Sequence, residues 1–196
     1  MALDASQMPP GSQPCKRRPK VGPDALFALL VALVERPDAS LGDLAASLTW
    51  SSSTVKRLVR VLRASGIVRG RVGNLQLNLA LLGTSPHGFC TALVAVEPDI
   101  ARLKVLSQER KSPLSEYEEN LLHCVCADLA KDPAYAGRVL VERGYIVMGA
   151  PNFCWLITVY AESTAALFDF VRQGVERTDG IARTQTMMVT RAEIRS

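Results

Sequence analysis

Residues 41–70 read LGDLAASLTWSSSTVKRLVRVLRASGIVRG, and the rest of the chain is arranged around them. Leu41, Leu44, Ala45 and Leu48 recur at helical spacing, which predicts a short first helix. A longer run starts at Ser51. In it Val55, Leu58, Val59 and Leu62 fall at i, i+3, i+4 and i+7 and form one buried stripe. Lys56, Arg57, Arg60 and Arg63 lie off that stripe and face solvent, with no carboxylate among them. Ser51, Ser52, Ser53 and Thr54 supply hydroxyls that can cap the helix or reach phosphates. Ser65-Gly66 is a helix stop with a C′ glycine, and Ile67-Val68-Arg69-Gly70-Arg71 continues as a short basic strand. A helical hairpin with a solvated basic face is the plain alternative. The single-sign face, the hydroxyl-rich start and the basic strand favour a helix-turn-helix that meets DNA, with a wing at Arg69 and Arg71.

The chain has 196 residues, 48% hydrophobic and 21% charged, enough for one or two globular domains. No apolar run approaches ~20 residues, so no membrane helix is expected. The N-terminus lacks a signal-peptide pattern, which makes the cytoplasm the expected location. Cys15, Cys90, Cys124, Cys126 and Cys154 are odd in number and scattered, which suits a reducing compartment better than a disulfide framework. His123, Cys124 and Cys126 cluster in sequence, but on a helix residues two apart point about 200° away from each other. No metal site is expected there. The net charge of +4 is uneven: residues 1–83 carry 11 Lys and Arg against 5 Asp and Glu, and the remainder 12 against 14. Only the first part is expected to meet a polyanion.

Residues 1–21, rich in Pro, Ser and Gln and closing on Lys16, Arg17, Arg18 and Lys20, predict a disordered basic arm. Residues 22–83 then form the DNA-binding domain. Its first helix covers residues 23–35, opened by Pro23 and apolar enough to be packed on more than one side. Two strands within 67–79 turn at Gly73-Asn74. Residues 84–99 read as a linker with a strand at 89–97, and residues 100–196 as a second domain. There the pattern gives a strand at 101–107, a helix at 115–131, strands at 138–148 and 153–161, a helix at 164–177 and a strand at 181–190. Strand, helix, strand, strand, helix, strand is the ferredoxin-like unit, one antiparallel sheet with both helices on one face. The strand FCWLITVYA is so apolar that both its faces need cover. A second subunit is the expected cover, with the strand at 89–97 as the other candidate.

A winged helix-turn-helix, a linker strand and a ferredoxin-like βαββαβ (RAM/ACT-like) domain make up an α+β chain that resembles the Lrp/AsnC feast/famine transcriptional regulators. Val55, Arg57, Val59, Arg60, Leu62, Gly66, Ile67 and Gly70 match the family's recognition helix and exit strand, and RTDGIARTQTMMV is similar to its closing segment. The resemblance implies a sequence-specific DNA-binding regulator, dimeric or built of dimers into an octamer. It also implies an amino-acid effector held at a turn that here corresponds to Met148, Gly149, Ala150, Pro151 and Asn152. The family's carboxylates are missing from that turn, so an altered effector, or none, is expected. The implied DNA contacts are Lys56, Arg57 and Arg60, the hydroxyls at Ser51, Ser52, Ser53 and Thr54, and Arg69 and Arg71 on the wing.

Siroheme decarboxylases share this two-domain layout. That enzyme reading needs placed histidines, and the chain has only His87 and His123, neither near the turn. No catalytic residue and no cofactor is expected. A sensor or assembly module with a vestigial helix-turn-helix is the third reading.

Overall fold

The computed structural model describes residues 22–71, 74–147 and 155–189. The basic arm and the turn Met148–Asn152 therefore lie outside the described residues.

Three helices open the chain: α1 (Pro23–Glu35), α2 (Leu41–Ser47) and α3 (Ser52–Ala64). Pro23 occupies the first turn of α1, where its missing N–H costs nothing. Leu26, Phe27, Leu29, Leu30 and Leu33 of α1 are buried against Leu44 of α2 and Val55, Leu58 and Leu62 of α3. A hairpin follows, β1 (Val68–Arg71) and β2 (Asn74–Leu77), with Val68 opposite Leu77 and Arg71 opposite Asn74. Asn74 is thus a strand residue rather than part of the turn expected at Gly73-Asn74, and residues 72 and 73 lie outside the described residues. A 3₁₀ turn, Leu79–Thr84, brings the chain back under the core through Leu82.

The second part is β3 (Cys90–Pro98), α4 (Ile100–Arg110), α5 (Leu114–His123), β4 (Val139–Ile146), β5 (Trp155–Ala161), α6 (Thr164–Asp169) and β6 (Ile181–Met188). α5 runs on through a π turn at Cys124–Asp128, and α6 through another at Phe170–Gly174. The strands form one antiparallel sheet in the order β4-β5-β3-β6, so the first and third strands are central and the second and fourth are edges. Ala92, Val94 and Val96 of β3 and Trp155, Ile157 and Val159 of β5 pack against Leu103, Tyr117, Leu121, Phe170 and Val171 of the helices. All the helices of this part therefore sit on one face.

Two expectations fail here, with one physical cause. Residues 101–107 are helix rather than strand, and the strand expected in the linker at 89–97 is the centre of the sheet. ARLKVLS alternates with period two, but its core contacts are Leu103, Leu106 and Ser107 at i, i+3 and i+4, while Val105 stays 44% exposed. Asp99 decides the matter by capping α4, accepting from the Arg102 N–H at 2.9 Å. Two helices, rather than one, thus connect β3 to β4.

Among the described residues, the sheet's other face is covered at one end only. Leu140 and Tyr160 join the N-terminal core, and Phe89, at the entry to β3, sets its ring edge-on to Phe27 at 5.3 Å. Since β3 lies within the sheet, it cannot be the cover. Beyond that end the face carries the cross-strand row Tyr145, Leu156, Ala95 and Gln185, with Leu93 and Met187 beside it. Tyr145 is 48% and Met187 42% exposed.

Candidate nucleic-acid interface

The helix-turn-helix is held by its caps. Ser40 and Asp43 form a reciprocal capping box on α2: Ser40 Oγ accepts from the Asp43 N–H at 3.2 Å, and Asp43 Oδ2 accepts from the Ser40 N–H at 3.1 Å. The hydrogen bonds from Ser40 hold the Asp43 carboxyl below its ordinary pKa. The turn then passes through Thr49, which has a left-handed backbone with φ 56°, and the Trp50 N–H closes back on the Ala45 carbonyl at 2.8 Å. Ser51 caps α3 by accepting from the Thr54 N–H.

This cap sorts the four hydroxyls. Ser52 and Ser53 are exposed on the first turn of α3, and Ser51 is half-buried with its Oγ 2.9 Å from both Ser53 Oγ and Thr54 Oγ1. Thr54 departs from its expected role. It is buried, with its hydroxyl turned onto Ser51, so it fixes the cap and does not face a groove. The sequence could not separate these roles because a hydroxyl at either position satisfies the same composition signal.

Along α3 the buried stripe is Val55, Leu58, Val59 and Leu62, each 2% exposed or less, and Lys56, Arg57, Arg60 and Arg63 are all exposed. Arg63 donates from Nη2 to the Gly70 carbonyl at 2.8 Å. That bond ties the end of α3 to the wing, a role the charge pattern did not reveal. Gly66 ends the helix at φ +76°, where a Cβ would be strained. Arg69 is exposed on β1, and the side chain of Arg71 lies outside the described residues. The arrangement is a convex cationic ridge with a wing beside it, shaped to approach a polyanion rather than to enclose a small molecule.

The other sequence candidates are dispersed. His87 is half-buried with its ring 5.8 Å from Phe89, while His123 is exposed at the end of α5. Cys124 is exposed, and Cys126 is half-buried where a Cβ on Gly144 would meet its sulfur at 2.8 Å. Burial pushes the Cys126 thiol up to about 11, away from thiolate chemistry. Among the described residues no group of three or more His, Cys, Asp and Glu is placed to hold a metal ion, and no helix is long and apolar enough to cross a membrane.

The family described as the IclR helix-turn-helix domain matches residues 24–71, the span from α1 to the end of β1. No curated protein sequence matches the chain. Similar solved structures include AsnC from E. coli, at 17% identity over 86% of this chain and 92% of that one, with a TM-score of 0.35. A transcriptional regulator from Neisseria meningitidis in complex with L-Met is similar at 19% identity over 91% and 94%, with a TM-score of 0.36. The leucine response regulatory protein of Mycobacterium tuberculosis is similar at 22% over 86% and 92%, with a TM-score of 0.34. Residues 24–71 form a helix-turn-helix domain, and an α+β domain with a four-stranded antiparallel sheet follows it.

Proposed function

We propose that this chain is a sequence-specific DNA-binding transcriptional regulator of the Lrp/AsnC type, acting as a homodimer or an assembly of dimers in the cytoplasm. The observation that carries the reading is the outer face of α3: four exposed cations, no carboxylate, and a closed apolar core behind them. Such a face has little use except against phosphate, and a helix of 13 residues fits the major groove. Lys56, Arg57 and Arg60, with Ser52 and Ser53, contact the groove, Arg69 and Arg71 contact phosphate from the wing, and Arg63 braces the wing. The half-buried Ser51 caps. A two-fold dimer places two such helices about one turn, ~34 Å, apart on a roughly palindromic site.

Genomic footprinting of the full chain tests this, followed by fluorescence anisotropy on the recovered sites. Bound sites with half-sites one turn or a multiple apart support the reading. Binding that ignores sequence, or no salt-dependent binding at all, overturns it. If Arg57 reads a guanine, Arg57→Ala costs about 1–3 kcal/mol on the cognate site and relaxes preference there, whereas uniform weakening marks a phosphate contact. The effector reading places a small molecule at Met148, Gly149, Ala150, Pro151 and Asn152. Calorimetry with free amino acids tests it, and ordinary micromolar binding of one would refute the expected change of effector.

A further inference from the structure

A cavity of about 450 Å³ lies between the two parts of the chain, within the range of roughly 300–1,000 Å³ typical of ligand sites. Leu33 from α1, Leu75 and Leu77 from β2 and Leu79 from the 3₁₀ turn supply aliphatic walls. Glu142 of β4, Tyr160 of β5 and the amide of Asn78 supply the polar side. Tyr160 is 5% exposed and donates its hydroxyl proton to Glu142 Oε2 at 2.6 Å. That bond uses the only proton of the pair. What the two residues then offer a ligand is acceptors: the second carboxylate oxygen, and the lone pairs of the phenol. No Lys, Arg or His lines the cavity, and Glu142 has no ion pair among the described residues. The adjoining cavity that Glu142 also borders is lined by both Glu35 and Lys131, whose charges offset each other, so Glu142 is the carboxylate the proposed site depends on.

We propose that this inter-domain cavity binds an apolar primary amine, its hydrocarbon among the leucines and its ammonium on the Glu142 carboxylate. An ammonium brings donors and a positive charge to the acceptors of Glu142 and Tyr160, and a charge-assisted bond of this kind is stronger than a neutral one. A carboxylic acid would meet repulsion from Glu142. A free amino acid would set its carboxylate beside Glu142 with no cation among the described lining residues, so the site favours the decarboxylated amine over the zwitterion. Because α1 and β2 belong to the DNA-binding part and β4 and β5 to the sheet, a bound amine bridges the two. Occupancy of the site is measurable without DNA.

Isothermal titration of the full-length chain with 3-methylbutylamine and 2-phenylethylamine tests the site, with 3-methylbutanol and leucine as controls. The amines are expected to bind, and the alcohol and the amino acid to bind at least about tenfold more weakly. Glu142→Gln keeps the size of this exposed side chain and is expected to weaken amine binding about tenfold or more while its melting curve stays that of the parent. Tyr160→Phe keeps the ring and is expected to give a smaller loss. Amine affinity unchanged in Glu142→Gln, equal affinity for amine and alcohol, or no amine binding at millimolar concentration would each overturn the proposal.

Discussion

Around the N-terminal core, α3 turns Val55, Leu58, Val59 and Leu62 inward and sets four cations and the hydroxyls of Ser52 and Ser53 outside, whereas the C-terminal sheet leaves Tyr145 and Met187 half exposed on one face. The first arrangement is complete as a folded unit, and its outer surface asks only for negative charge. The second is incomplete, because apolar rows on a sheet lower the free energy only when something covers them. Under the proposed function, the contrast separates two requirements of one reader: a surface for DNA, and a surface for a second copy that would give two-fold spacing. The N-terminal core closes one end of the open face through Leu140, Tyr160 and Phe89, so the two requirements meet on the same sheet.

Charging the open face would break the comparison most strongly. In Tyr145→Lys combined with Met187→Lys, each lysine buried unpaired in a dimer interface costs about 3–5 kcal/mol of association. Sedimentation should show a monomer, and anisotropy a loss of affinity for the palindromic site. The fold itself should change by within about 0.5 kcal/mol per surface substitution. A double variant with the parent's mass would mean that this face is not the contact.

Phe27→Ala tests whether the two parts unfold together. Phe27 is fully buried and sets its ring at 68° to Phe89, so truncation removes both core volume and the strut between the parts. A loss of about 3–5 kcal/mol is expected in chemical denaturation. Trp50 lies in the first part and Trp155 in the second, which makes single-tryptophan variants local reporters. Coincident shifts at both would show one cooperative unit, and a shift at Trp50 alone would show that the strut carries nothing.

On the helix face, packing is as tight as in the N-terminal core. Gly180 has φ +98°, and a Cβ there would lie 2.5 Å from Leu103 Cδ2. Gly180→Ala combines left-handed strain of about 1–2 kcal/mol with overpacking of about 1–3 kcal/mol. Its melting temperature should fall by several degrees while its sedimentation stays that of the parent.

These positions also show what could be read in the chain. The stripe on α3, the glycine at 66 and the outer cations all obey one short-range rule each, so the helix-turn-helix was legible residue by residue. The β-α-β-β-α-β order was legible too, but its first strand was misplaced by one segment. ARLKVLS satisfies period two and period 3.6 almost equally, and only the Asp99 cap and the pairing of β3 between β5 and β6 separate them. Sheet pairing is long-range, and alternation in a seven-residue run does not contain it. The role of Arg63 was hidden for a similar reason, since its partner is a backbone carbonyl seven residues on.

Acid should act on the N-terminal part locally. Asp43 titrates below its ordinary pKa because Ser40 donates to its carboxylate, so the capping box is fully present above about pH 4 and is lost as pH falls through the lowered folded value. Carboxyl chemical shifts should place the Asp43 midpoint below the ordinary aspartate range, and Ser40→Ala should raise it toward that range.

The smallest effect is expected in the turn itself. Thr49 is β-branched yet holds φ 56°, a conformation that costs an L-residue about 1–2 kcal/mol. Its hydroxyl donates to the Leu48 carbonyl at 2.7 Å, but the site is exposed, so water replaces that bond at little cost. Thr49→Gly removes the strain and adds about 0.5–1 kcal/mol of unfolded-state entropy to be lost on folding. The difference leaves a net gain of up to about 1 kcal/mol, read as a raised denaturation midpoint with unchanged slope. A loss of stability would mean that Thr49 contributes more to the turn than its one hydrogen bond. Unchanged DNA affinity alongside the gain would show that α2 and α3 keep their angle without the threonine, leaving the caps at Ser40 and Ser51 to set it.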